Sequence, residues 1–464
     1  MDVRSSCAAV TTMKNVQRSW CLAILIWLVP AVAIAQSPPG PFVTAGDDQA
    51  GSAPLTLTLQ DALERAKKNN PEYRAAQTDF AIAKEDKVQS RAALLPNVNF
   101  NTSFIYTEGN GTAASRFIAN NGVHEYISQG NVHQEFSLAN VADFRRTQAL
   151  EAVARARAEI AARGLVVTVV QNYYGFVIAQ RKYSTAQRAA TEAQRFFDIS
   201  QKLEHGGEVA HADVIKAEIQ LRDQQRNLHE ADLEMSRSRL ELAVIVFPDF
   251  NQNFTVVDDL QMPEPVPGFA EIQAAAANQN PELRAALASL KAAKQEVAGA
   301  WNGFLPSVGV DYFYGIDSNH FAANQVDPAS GFLIRNLGYA ATATLQLPVW
   351  NWGANRSKLK QASLRREQAQ VELSFTQRQL LAHLQTFYKE AETARFELES
   401  LQRSAELASE SLRLTTLRYQ AGESTVLEVV DAQNTFTQAT NAFNDGQARF
   451  KLAMANLQTL TGTL

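Results

Sequence analysis

Along the last third of the chain the apolar positions keep a seven-residue rhythm. Leu373, Leu380, Phe387, Ala394, Leu401 and Ala408 form one row, and Leu384, Ala391, Leu398, Ala405 and Leu412 form a second row offset by four. Two such rows are the seam of a coiled coil, because a helix wound slightly to 3.5 residues per turn keeps those positions on one side. No proline follows Pro348, so one helix is predicted from about Asn355 to Gln420. Ala421-Gly422 ends it, since glycine takes the left-handed conformation of a helix terminus at low cost. Thr425 and Glu428 then have the spacing of a capping box, in which each side chain satisfies a free backbone N–H of the next helix. A second helix returns from there to the C-terminus, and the stretch from Arg418 to Gln433 becomes the tip of a very long helical hairpin.

The same plan occurs earlier in the chain. Asn70-Pro71-Glu72-Tyr73-Arg74 recurs as Asn280-Pro281-Glu282-Leu283-Arg284, and Leu95-Pro96 as Leu305-Pro306, both displaced by 210 positions. Asn140 and Arg145 match Asn351 and Arg356 at 211, while Gly207-Glu208 and Asp213-Val214 match Gly422-Glu423 and Glu428-Val429 at 215. Residues 55–262 and 269–464 therefore read as two copies of one unit, joined by a proline-rich link over 263–268. In the first copy a short helix (about Leu59 to Asn69) precedes a proline-started helix that runs to about Ala93, where Leu95-Pro96 stops it. Alternating polarity comes next: Val98, Phe100, Thr102, Phe104 and Tyr106 oppose Asn97, Asn99, Asn101 and Ser103, and Val308, Val310, Tyr312 and Tyr314 oppose Ser307, Gly309 and Asp311. Period two predicts strands. Return strands are predicted over roughly Tyr126–Leu138 and Tyr339–Val349. Long helices succeed them, from about Val141 to Leu203 and from Asn355 to Gln420. At 1.5 Å per residue, some 60 helical residues extend on the order of 90–100 Å, beyond the size of a globular domain.

Apolar-out, polar-in strands of about ten residues are what a membrane barrel requires, but single-chain bacterial barrels have at least about eight strands. Four predicted strands must combine with those of other copies. Trp350 and Trp352 sit where an interfacial aromatic girdle would lie, with simple packing as the alternative.

The N-terminus changes the compartment. Arg4, Lys14 and Arg18 precede an apolar run from Trp20 to Ala33, and Ala33-Ile34-Ala35 has the form of a cleavage site, so residues 1–35 read as a signal peptide. Residues 36–54, rich in Gly, Pro, Ser and Asp, read as a disordered linker. Both cysteines, Cys7 and Cys21, fall in the signal segment, leaving the exported part without disulfide, metal thiolate or thiol nucleophile. Its loss, with Asp2, takes the formal charge from −5 to about −7, which argues against nucleic acid as a partner. After the signal no run of about 20 apolar residues occurs; Leu165–Ala179 comes nearest and is interrupted by Gln171 and Asn172. The seven histidines lack paired metal-ligand spacing, and no Gly-x-Ser-x-Gly, His-Glu-x-x-His or phosphate loop is present. No cofactor, metal or catalytic residue is predicted, and the chain is not read as an enzyme.

Export signal, duplicated Asn-Pro-Glu helix ending in Leu-Pro, strand pair, proline-free hairpin, and the tips Gly206-Gly207-Glu208 and Tyr419-Gln420-Ala421-Gly422 together resemble the TolC-like outer-membrane efflux protein family over nearly the whole exported chain. The resemblance implies a mainly α protein with a membrane β part. Its duplicated helical hairpins build an α-barrel tunnel across the periplasm, and its four strands contribute to a twelve-stranded barrel of a homotrimer in outer-membrane lipid. It also implies a periplasmic adaptor protein and an inner-membrane transporter as partners. In the family, acidic residues past the second tip ring the aperture; Glu428 and Asp431 hold those positions, three apart on one helix face. Asp213 is the first-copy equivalent of Glu428. Closing contacts in the family join an Asp of copy one to a Tyr and an Arg of copy two: Asp213 and Tyr419 match, while Ser424 stands where the Arg would be. Gly207, Glu208, Gly422 and Glu423 are the expected adaptor-docking tips. Crowded into one constriction, the ring carboxylates are expected to have raised pKa values. Two simpler readings stand beside these: Glu428 as a capping partner only, and Tyr419, seven residues after Leu412, as core packing. For the whole chain the alternative is a periplasmic coiled-coil scaffold or adaptor without a pore.

Overall fold

The computed structural model describes residues 55–106, 124–249, 253–260, 265–326 and 330–462. The predicted signal peptide, the linker over 36–54 and the first two residues of the proline-rich link lie outside them. The elements run β1 (Leu55–Leu57), α1 (Leu59–Asn69), α2 (Pro71–Ala92), β2 (Asn97–Tyr106), β3 (His124–Phe136), α3 (Leu138–His205), α4 (His211–Val246) and β4 (Phe254–Val256). The same order then returns: α5 (Phe269–Gln279), α6 (Pro281–Asn302), β5 (Ser307–Ser318), the short pair β6 (Asn324–Val326) and β7 (Leu333–Arg335), β8 (Leu337–Gln346), α7 (Ala354–Gln420) and α8 (Val426–Thr461).

Local chemistry explains the boundaries. Asn70 and Asn280 are the N-caps of α2 and α6, their Oδ1 atoms accepting from the N–H of Tyr73 at 2.8 Å and of Leu283 at 2.9 Å. Pro71 and Pro281 come next as first helical residues, where a missing N–H costs nothing. All eleven heptad residues of α7 are buried or half-buried, as a coiled-coil seam demands. The chain enters α7 through two left-handed residues, Trp352 (φ 54°) and Gly353 (φ 83°). α7 therefore begins at Ala354 while α3 begins at Leu138, and the extra residues lie ahead of the helix. The correspondence of Asn140 with Asn351 at 211 does not carry into the helices, whose last residues, His205 and Gln420, are 215 apart.

β2, β3, β5 and β8 form one antiparallel sheet in that order. The register aligns the two polarities across all four strands: Phe100, Gly130 and Tyr314 lie in one row with Tyr339, and Asn97, His133 and Asp311 in another with Thr342. One face is apolar and aromatic, the other polar, with His133 Nδ1 bonded to Asp311 Oδ1 at 2.8 Å across β3 and β5. β2 and β8 are edges. β8 ends at Gln346, so Leu347–Val349 fall outside it, and β6–β7 is a small hairpin that sequence pattern did not predict. Trp350 and Trp352 stack edge-on at 5.8 Å and are almost fully exposed, so packing within the chain does not explain them.

The helices form a sheet-like layer. α2, α3, α6 and α7 pack in that order near the strands, and α4, α3, α8 and α7 in that order towards the tips. The largest core lies midway, where β1 and β4 pair in parallel and Tyr173 donates its hydroxyl to the carbonyls of Leu57 (3.2 Å) and Val257 (2.7 Å). Burial pushes the Tyr173 hydroxyl pKa up to about 12. Among the described residues no helix is long and apolar enough to cross a membrane.

Candidate functional site

The two hairpin tips end their first helices identically. At the end of α3, Gly207 takes φ 77° and the Glu208 N–H reaches back to the Leu203 carbonyl at 2.9 Å; at the end of α7, Gly422 takes φ 72° and the Glu423 N–H reaches the Arg418 carbonyl at 2.9 Å. A six-residue closure of this kind needs a left-handed residue, which is why glycine stands at both. An added Cβ would meet nothing within 4 Å at either position, so space is not the constraint.

The helices that leave the tips differ. Ala210 caps α4 with no side-chain bond, whereas Thr425 caps α8 in a full box: the Glu428 N–H donates to Thr425 Oγ1, and the Thr425 N–H to Glu428 Oε1, both at 3.3 Å. Ser424 Oγ donates to Glu428 Oε2 at 3.2 Å, and Arg418 lies 3.8 Å from the same oxygen. Bonds from the Thr425 backbone and hydroxyl, then Ser424, hold the Glu428 carboxyl below its ordinary pKa. Within one chain these donors favour the ionised Glu428 carboxyl, an effect opposite in sign to the repulsion expected among ring carboxylates of neighbouring copies. Asp431 is exposed, with no ion pair or hydrogen bond to its carboxylate among the described residues.

Tyr419 is only 3% exposed, its ring 5.0 Å from that of Phe196 in a cluster with Ala217, Val426 and Val429. Its hydroxyl bonds Ser200 Oγ at 3.0 Å. Burial raises the Tyr419 pKa, and the charge of Asp213 raises it further. Asp213 itself accepts from Lys216 at 3.3 Å. Glu208, Asp213, Tyr419 and Gly422 line one cavity of about 420 Å³ between the tips, together with Lys216 and Ser424. Gly207, Glu423, Glu428 and Asp431 lie off it. Within one chain Tyr419 and Asp213 share this cavity while each bonds another partner. Sequence reasoning missed Ser200 and Arg418. A cation in the last turn of α7, where helix carbonyls gather negative charge, was a readable signal for Arg418. Ser200 had none. No group of three potential metal ligands exists among the described residues.

Paired long helices, duplicated and set on a two-faced sheet with open edges, define an α-helical duct carried on membrane strands. The chain belongs to the outer membrane efflux protein family, whose profile matches residues 62–246 and 272–463. It is 24% identical over 439 residues to the outer membrane protein TolC of Vibrio cholerae, covering 91% of this chain and 94% of that one. It is 22% identical over 425 residues to the proteases secretion protein PrtF of Dickeya chrysanthemi, covering 89% and 90%. The fold matches the CmeC outer membrane channel of Campylobacter jejuni with a TM-score of 0.75 at 18% identity, over 87% of this chain and 85% of that one. The protein is an outer-membrane exit duct of an efflux or secretion system, reaching into the periplasm. A pore-free scaffold is set aside by that membership.

Proposed function

We propose that three copies close one passive duct, fed from the periplasm by an adaptor protein and an inner-membrane transporter. One observation carries the reading: every layer of the chain is an open strip with the same two margins. β2, α2 and α4, all from the first repeat, lie at one margin, and β8 and α7, both from the second, at the other. An unpaired strand edge is costly in lipid, and joining unlike margins head to tail closes a ring. Three copies supply twelve strands. Mass measurement in detergent should give three chains; a stable monomer inserted in bilayers would sink the reading.

The tips form the periplasmic end of this duct. Gly207, Glu208, Gly422 and Glu423 face the adaptor, and Asp431, Glu428 and Asp213 set the charge of the aperture. Threefold repetition multiplies each carboxylate, and clustered negative charge in a narrow opening attracts cations. Tyr419 and Asp213, which line one cavity between the tips, oppose their separation. Planar-bilayer recording tests the aperture: cation selectivity and block by multivalent cations from the periplasmic side are expected, and an anion-selective pore would remove the proposal.

A further inference from the structure

The two repeats correspond helix by helix. α1 and α5, and α2 and α6, have equal lengths at a displacement of 210, and α4 and α8 at 215. α3 and α7 also correspond at 215: Leu165 with Leu380, Val169 with Leu384 and Ala193 with Ala408 are each buried in both. Inside one chain, the long helix α3 of the first repeat packs on α6 and α8 of the second. If copies join margin to margin, α7 meets α2 and α4 of the next copy in the same way. This step rests on the ring proposed above.

The exposed side chains fit it. Ala149 and Ala156 of α3 are 2% and 4% exposed in the seam; their counterparts on α7, Leu364 and Val371, are 56% and 62% exposed. Ala292 of α6 is 6% exposed and its counterpart on α2, Ile82, is 55% exposed. Apolar residues stand bare where the internal seam is covered, which marks a surface awaiting a partner.

Several polar contacts cross that seam, among them Arg284 with Glu159 and Asn302 with the Leu138 carbonyl, and the one made by Arg163 has a counterpart left unmade. Arg163 of α3 donates from Nη1 to the Thr459 carbonyl at 2.8 Å and from Nη2 to the Gln279 carbonyl at 3.4 Å. Both acceptors lie in the last turns of helices, α8 and α5, where carbonyls lack intrahelical partners and carry partial negative charge. The counterpart of Arg163 is Arg378. It is exposed; its Nε donates at 3.3 Å to Ser374 of its own helix, and its guanidinium lies 6.0 Å from the Phe375 ring. Neither Nη has an acceptor among the described residues. The counterparts of Thr459 and Gln279 are Val244, in the last turn of α4, and Asn69, the last residue of α1, and neither carbonyl accepts a hydrogen bond among the described residues.

We propose that Arg378 of one copy reaches across the seam and donates to the carbonyls of Val244 and Asn69 in the next copy, helping to lock the register between subunits as Arg163 helps to lock it within each. A guanidinium suits the task because its donors fan out in a plane and it stays charged at any working pH.

The test uses the full chain purified in detergent, with Arg378→Cys and Val244→Cys together and a bismaleimide long enough to stand in for the arginine side chain. A ladder of dimers and trimers in denaturing gels is expected, with the bridged peptides identified by mass spectrometry. Arg163→Cys with Thr459→Cys should bridge within single chains and give no ladder. A trimeric mass without the ladder overturns the Arg378 contact and leaves the ring standing; a monomeric mass for the unmodified chain overturns both. Arg378→Gln is a second measure: loss of hydrogen bonds to a charged group should weaken association about tenfold or more. Unchanged trimer dissociation in Arg378→Gln would also overturn the contact.

Discussion

The turn after α3 and the turn after α7 share a left-handed glycine and the same backward N–H bond, yet the helices that leave them start on different terms. α4 begins at Ala210 without a side-chain cap and carries Asp213 and Lys216, which bond each other. α8 begins at Thr425 with a closed capping box and carries Glu428 and, three residues on, Asp431. The two repeats turn at their tips by the same backbone route, a left-handed glycine closed by a backward N–H bond. That route places no demand on the first turn of the next helix. The second tip is the better anchored and the more acidic, so stiffness and charge at the proposed aperture come from the same repeat.

The shared feature can be broken first, and with the largest effect. Gly207→Val and Gly422→Val should each cost about 1–3 kcal/mol, since a β-branched residue is forced to positive φ with no clash to relieve. Hydrogen exchange of the tip amides would read the loss, and it should be similar at both. A cost confined to one tip would show that the turns are not equivalent. Tyr419→Phe comes next. It leaves Ser200 Oγ, on a residue with no exposed surface, without its Tyr419 partner, at roughly 1–2 kcal/mol. Exchange around Phe196 and Val429 should rise, and rates like those of the parent chain would mean that another acceptor serves Ser200.

The differing feature separates the tips in opposite directions. Thr425→Ala should destabilise the start of α8 by about 1 kcal/mol, while Ala210→Ser should stabilise the start of α4 by a similar amount. Exchange at the first turns of α8 and α4 measures both, and the same sign at the two sites would contradict the contrast. Acid sharpens it further. The Glu428 carboxyl has a folded pKa below its ordinary 4.5, so its contribution is complete above that value and is lost as pH falls through the lower folded one. Fraying of α8 should therefore set in only below about pH 4.5. Fraying that begins near neutrality would point to some other group.

Much of this is legible in the sequence. The heptad rows of α7, the glycine turn and the Thr425–Glu428 box come from local rules, and α1 ends at the predicted residue because Asn70-Pro71 punctuates it, while Thr58 and Asp61 cap its start. What was not readable is set by distance. The parallel pairing of β1 with β4 joins segments some two hundred positions apart through three residues each, too short for any periodicity. Ser200 meets Tyr419 only because two helices of nearly seventy residues run to the same depth. The entry to α7 is not legible from residue type, since Asn351 matches Asn140 while the left-handed Trp352 and Gly353 hold it outside the helix. The sequence pattern of Glu428 fits both a cap and a ring carboxylate, and within the chain it is engaged as a cap.

That engagement sets the order of the smallest effects, at the proposed aperture. Glu428 gives its oxygens to Thr425, Ser424 and the nearby Arg418, whose positive charge offsets its own field, while Asp431 on the same helix face has no such partner among the described residues. A charge already satisfied by local donors contributes less to the potential of an opening than one facing solvent. Asp431→Asn should therefore weaken multivalent-cation block severalfold and reduce cation selectivity. Glu428→Gln should change both less, and should keep α8 folded because glutamine also serves in a capping box. Planar-bilayer recordings of the two single variants, each checked for trimer content, decide between them. Should Glu428→Gln have the larger effect, the cap must open in the assembled duct and release its carboxylate to the aperture; if neither variant alters block, the ring of carboxylates does not control the pore.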